Sequence, residues 1–131
     1  MSAIRPIRLF VLIALLATPA AYADGIKGNA ANGKELFMSN TCPTCHSVIK
    51  DDDLKIGPNL VGVVGRKAGT TKSLMGPSDN LKKYGVIWSA ETLDEFLTNP
   101  SAKVPGTAMI GILPDPQQRA DVIAYLATLK N

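Results

Sequence analysis

Cys42-Pro43-Thr44-Cys45-His46 holds every cysteine and the single histidine of the chain within five residues. The spacing Cys-x-x-Cys-His is that of covalent haem attachment. Two thiols one helical turn apart can form thioethers with two vinyl groups on one edge of a porphyrin. The imidazole beside the second thiol then lies under the ring and can bind its iron. Three other chemistries compete. The two thiols could pair as a disulfide. A redox-active Cys-Pro-x-Cys pair belongs with βαβ units. A structural zinc wants four nitrogen or sulfur ligands, and this segment offers three. With one histidine in the chain, a six-coordinate iron needs sulfur as its second axial ligand. Met38, Met75 and Met109 are the candidates. Met109 is best placed, because Val104-Pro105-Gly106-Thr107-Ala108-Met109 reads as a fixed exposed loop that can aim one side chain inward. Met38 and Met75 read as packing or surface residues. Thioether ligation favours reduced iron and raises the potential.

Positioning these groups takes helices. Asn29 to about Ser39 reads as a first helix, with Asn32 and Glu35 as a capping box. Ser78 to about Tyr84 reads as a short one, capped by Ser78 and stopped by Gly85. Ser89 to Asn99 is capped by Ser89, presents Leu93, Phe96 and Leu97 as one apolar stripe, and is ended by Pro100. Asp115 to Leu129 is capped by Asp115, with Pro116 at the first position and Gln118 completing a box. Its buried face is Val122, Ile123, Leu126 and Leu129. No stretch shows period-2 alternation. The expected fold is all-α, with three main helices and long loops rich in Gly and Pro. Some fifty residues from Ser39 to Ser89 carry little regular structure, which suits a chain wrapped around a guest.

The chain has 131 residues, 46% of them hydrophobic, 19% charged and 5% aromatic, with a net charge of +3. That excludes a disordered tail and a disulfide-dense miniprotein. The basic balance suggests nucleic acid, but the N-terminus is responsible for it. Arg5 and Arg8 precede the apolar run Leu9–Ala17, and Ala21-Tyr22-Ala23 precedes Asp24, the order of a cleaved signal peptide. Nine apolar residues are too few to span a bilayer, which takes roughly 20. The expected division is a signal peptide at 1–23 and one domain at 24–131. The mature domain has 108 residues, a net charge of +1 and about 40% apolar residues. So little apolar material in a small domain again asks for a guest in the core, and the nucleic-acid reading falls.

From about Asn32 to Lys130 the chain resembles class I c-type cytochromes, the mitochondrial and related bacterial group. The marks are CPTCH, Gly57-Pro58-Asn59-Leu60, Gly65-Arg66-Lys67, Trp88 with Glu91-Thr92-Leu93, Asn99-Pro100, Pro105-Gly106-Thr107-Ala108-Met109, Arg119-Ala120-Asp121 and Ile123-Ala124-Tyr125-Leu126. Each is weak alone; their order carries the likeness. It implies the cytochrome c fold, with three main helices, short helices and long loops wrapped around one haem c bound through Cys42 and Cys45. His46 is implied as proximal ligand and Met109 as distal ligand. Pro58 is implied as the carbonyl that orients the imidazole. Arg66 and Trp88 match residues that bond a buried propionate, and Asn80 matches a residue of the same network. Gly33, Phe37, Tyr125 and Leu126 match a crossing of the first and last helices.

There are departures. The family's tyrosine near the iron–sulfur bond falls on Phe96, and its propionate-binding tyrosine before Asn80 is missing. Gly111 stands where an aromatic often covers the haem edge. One extra residue lies between Phe37 and Cys42 and one between Asn80 and Trp88. Ser101, Ala102 and Ala108 replace common lysines, leaving Lys103. The expected function is a one-electron carrier rather than an enzyme, monomeric and periplasmic. It would dock transiently on redox proteins: a terminal oxidase, a cytochrome complex or a periplasmic dehydrogenase. The alternative is a haem-based sensor or peroxidase-like protein with a labile distal Met.

Overall fold

A computed structural model describes residues 27–130. The expected signal peptide at 1–23 lies outside the described residues. Within them six helices follow in order: α1 (Ala30–Ser39), α2 (Cys42–Cys45), α3 (Asp79–Tyr84), α4 (Ala90–Thr98), α5 (Pro100–Lys103) and α6 (Pro116–Thr128). The architecture is all-α, as expected. The one sheet-like feature described is an isolated antiparallel bridge between Lys67 and Ile87.

The caps show why the helices start where they do. α1 is capped by Asn29, whose Oδ1 accepts from the N–H groups of Ala31 and Asn32 at 3.0 and 3.1 Å. Asn32, expected as the cap, is already helical. The reason is tertiary: the Asn29 N–H donates to Asp121 Oδ1 at 2.7 Å, which fixes the extended cap residue against α6. α3 has the expected Ser78 cap and ends at Gly85, whose φ of 54° suits glycine. α4 has a reciprocal box in which Ser89 accepts from the Thr92 N–H and Thr92 accepts from the Ser89 N–H. Pro100 does more than end α4. It sits at the first position of α5, where its missing N–H costs nothing, and Asn99 caps that turn through the Ala102 N–H. α6 begins as expected, with Asp115 accepting from the Gln117 and Gln118 N–H groups.

α1 and α6 cross with almost no space between their backbones. A Cβ on Gly33 would overlap the Asp121 carbonyl, so glycine is required by close approach. Phe37 and Tyr125 pack beside that point with ring centroids 5.7 Å apart. α4 packs on α6 and carries Leu93 and Phe96 into the core. Phe96 meets Trp88 edge-on at 5.1 Å and lies 6.4 Å from Tyr84. The core is completed from loops by Val63, Ala68, Val104 and Leu113. Among the described residues no helix is long and apolar enough to cross a membrane.

The long loops are held by specific bonds. Residues 65–68 run against 86–88 through Gly65 N–H to Trp88 O, Trp88 N–H to Arg66 O and Ala68 N–H to Val86 O, all between 2.7 and 2.9 Å. The Leu74 N–H donates to Lys55 O at 2.9 Å, tying the two outer loops together.

Candidate haem site

The attachment segment forms its own turn of helix. Pro43, just inside the start of α2, has no N–H to lose, and the His46 N–H closes the turn on Cys42 O at 2.9 Å. Cys42 and Cys45 are unpaired thiols on this turn, the first half-buried and the second exposed. Burial pushes the Cys42 thiol up from its ordinary value, and the neighbouring Cys45 adds to that. Among the described residues no three His, Cys, Asp or Glu side chains converge to hold a metal ion.

His46 is oriented from behind. Its Nδ1 lies 2.8 Å from Pro58 O. A carbonyl can only accept, so Nδ1 carries the proton and Nε2 keeps its lone pair on the opposite side of the ring. Burial pushes the imidazole below its ordinary value, opposed by the Pro58 bond. The net lowering suits a neutral ligand at neutral pH. Gly57 fits against this ring: a Cβ there would lie 2.7 Å from His46 Cε1. The Gly57 N–H donates to Cys45 O at 2.8 Å, so the Gly57-Pro58 segment is fastened to the attachment turn itself.

The next residue, Asn59, is the hub of that side of the molecule. It is buried, and its Nδ2 donates to Ile49 O at 2.7 Å and Asp52 O at 2.9 Å. Its Oδ1 accepts from the Val61 N–H. Ser47 donates to Asp52 at 2.7 Å, and the Leu60 N–H donates to Ser47 O. Sequence reasoning found Asn59 only as a letter in a motif and missed Ser47 and Asp52. Their type, small polar residues flanking a histidine in a loop, is a common turn signal and pointed to no partner.

Arg66 and Trp88 are brought side by side by the paired loop segments. The Arg66 guanidinium donates to Val61 O at 2.9 Å and Asn59 O at 2.7 Å, and burial pushes its pKa down. Trp88 is buried between Tyr84 and Phe96. Asn80 lies elsewhere: it is exposed on α3 and donates to Pro105 O at 2.7 Å, so it touches the loop that leads to Met109. Met109 is half-buried and packs against the core, while Met38 and Met75 are mostly exposed. Lys103, the lysine left near this loop, is paired with Glu95 at 2.5 Å.

These residues fit a covalent haem. Two thiols share one helical turn, an imidazole is held with Nε2 free to coordinate, and glycine lets a loop lie against that ring. Leu60, Val64, Leu81, Leu97, Met109 and Ile112 are half-buried apolar side chains flanking the core.

The fold and the attachment turn together define a helical haem domain in which the cofactor is bonded to the chain. The Cytochrome c family model matches residues 30–130. The chain is 41% identical over 108 residues to cytochrome c of Sesamum indicum, covering 82% of this chain and 96% of that protein. It is 43% identical over 104 residues to cytochrome c2 of Rhodopila globiformis, covering 79% and 95%. It is 42% identical over 116 residues to cytochrome c2 of Rhodomicrobium vannielii, covering 88% of each. The chain belongs to the cytochrome c family. It is a single-haem electron carrier, not an enzyme, and carries one haem c bonded through Cys42 and Cys45.

Proposed function

We propose that this carrier works in a bacterial periplasm and that His46 and Met109 are its axial ligands. The observation that carries the ligand reading is the Nδ1–Pro58 bond, which commits the one histidine to presenting Nε2. Met109 is supported as its counterpart by burial and by a loop fastened to the core, whereas Met38 and Met75 are exposed. Bound haem supplies a one-electron ferrous/ferric couple. The chain holds His46 neutral and fixed, and its packed apolar side chains exclude water and limit rearrangement. His46 and Met109 would hold the iron from the chain's own side chains, which would leave no ligand position for a substrate. Arg66 and Trp88 are proposed to serve a propionate, while Asn80, which bonds Pro105 O, is proposed to steady the Met109 loop.

The periplasmic reading rests on the n-region, apolar run and Ala-x-Ala site of residues 1–23 together with Cys-x-x-Cys-His. Its partners are proposed to be a terminal oxidase, a cytochrome complex or a periplasmic dehydrogenase, met as a monomer in small transient contacts.

Met109→Ala tests the ligand set. The variant is expected to lose the Met-to-iron charge-transfer band of the ferric protein and to fall in potential. An unchanged spectrum would assign the ligand elsewhere. Carbon monoxide addition to the ferrous wild type separates the carrier from the sensor reading. Slow or negligible binding is expected, and rapid stoichiometric binding would favour a labile distal site.

A further inference from the structure

The loop that carries Met109 is anchored at both ends by buried side chains, Val104 at 1% and Leu113 at 3% exposure. Between them the chain is largely exposed. Its own bonds are short-range: Thr107 N–H to Val104 O, and Met109 N–H to Thr107 Oγ1. Its outer ends are fastened from elsewhere. Asn80 of α3 donates to Pro105 O at one end. At the other, Arg119 of α6 donates through Nη1 to Leu113 O at 3.0 Å and Pro114 O at 2.9 Å. Arg119 is itself aimed by Asp94 of α4, with Nε to Oδ1 at 2.7 Å. The guanidinium is 8% exposed and the carboxylate 45%.

A planar guanidinium is the side chain that can serve a carboxylate and two carbonyls in one fixed plane. We propose that Arg119, oriented by Asp94, is a positioning residue that keeps the Met109 loop closed and so governs how readily the distal ligand leaves the iron. This rests on the reading of Met109 as distal ligand. A thioether from a mostly exposed loop stays bound only while the loop stays down, and loops open locally with far less free energy than whole domains. Arg119 joins the trailing end of the loop to α6 and, through Asp94, to α4. Removing it leaves two carbonyls and one carboxylate without their donor, beside the loop that must stay closed. Within the loop, Gly111 passes close to the end of α4 and the start of α5: a Cβ there would sit 3.3 Å from Thr98 O and 3.4 Å from Pro100 Cδ.

The test is the affinity of the ferric holoprotein for added imidazole, which binds when Met109 releases. Four variants are compared with wild type: Arg119→Ala, Arg119→Lys, Asp94→Asn and Gln117→Ala. Gln117 also lies on α6, but it bonds Lys27 O and Asp121, away from the Met109 loop. Arg119→Ala is expected to tighten imidazole binding about tenfold or more, as loss of hydrogen bonds from a charged donor implies. Arg119→Lys should rescue only part of this, and Asp94→Asn should shift binding in the same direction by less. Gln117→Ala should leave it near wild type. Arg119→Ala within twofold of wild type overturns the proposal, as does an equal shift in Gln117→Ala, which would mark general destabilisation. If Arg119→Ala yields no holoprotein, an unshifted Asp94→Asn overturns it. A wild type without the Met-to-iron band would sink the Met109 reading and this proposal together. A wild type with the band and an unshifted Arg119→Ala would sink this proposal alone.

Discussion

At the scale of single residues, the attachment turn was legible because its chemistry is written in consecutive positions. Cys42, Cys45 and His46 need only a turn of helix to be correctly placed, and α2 supplies it. Behind them, the resemblance implies only the Pro58 carbonyl; the rest could not be read. Gly57 touches the His46 ring, and Asn59 ties together carbonyls seven and ten residues away. Those partners are chosen by the path of the loop, which no local pattern encodes. Gly57→Ala is therefore expected to turn the imidazole, because its new Cβ would lie 2.7 Å from Cε1. Proton NMR of the haem-shifted His46 resonances checks this, and unchanged shifts would contradict it. Asn59→Ala strands Ile49 O and Asp52 O and should cost roughly 1–3 kcal/mol in denaturant unfolding of the holoprotein. Phe96 stands where the resemblance places a tyrosine and lacks its hydroxyl. It is buried in a cluster with Trp88 and Tyr84, so its replacement would disturb an aromatic stack.

At the scale of elements, helix ends set by local capping were readable, and ends set by tertiary bonds were not. Ser78, Ser89 and Asp115 cap as their positions suggest. Asn29 replaces Asn32 because Asp121, 92 residues away, bonds its N–H. The same bond makes the α1–α6 contact sensitive to pH. The Asn29 N–H, then Gln117, hold the Asp121 carboxyl below its usual range. A carboxylate with a depressed folded pKa contributes stability that is full above its ordinary value, about 4, and is lost as pH falls through the folded value. Asp121→Asn should thus be less stable than wild type at pH 7, with the gap closing in thermal melts as pH falls below about 4. A gap that widens on acidification would contradict the linkage. Gly33→Ala should force α1 from α6 and cost roughly 1–3 kcal/mol, the usual range for overpacking, by denaturant unfolding.

At the scale of the whole molecule, scarce apolar and aromatic residues, together with the long stretches left between the helices, point to a guest in the core. Apart from α3, the segments from Ser47 to Trp88 are bonded to one another, to the attachment turn and to the core rather than organised as regular structure. Sequence periodicity has no vocabulary for such segments, which is why α2 and α5, each four residues long, went unread while the three main helices did not. The surface also changes meaning at this scale. Lys103, the lysine left near the Met109 loop, is partly exposed and paired with Glu95, so its charge is partly offset at that point of the surface. For compartment, N-terminal sequencing of the secreted holoprotein should begin at or next to Asp24, and an intact Met1 would exclude cleavage. The most direct test of the carrier as a whole is a spectroelectrochemical titration of the holoprotein at neutral pH. A single reversible one-electron wave is expected, with the Met-to-iron band growing in step with oxidation. An irreversible response, or oxidation without that band, would contradict a haem held by the chain at both axial positions.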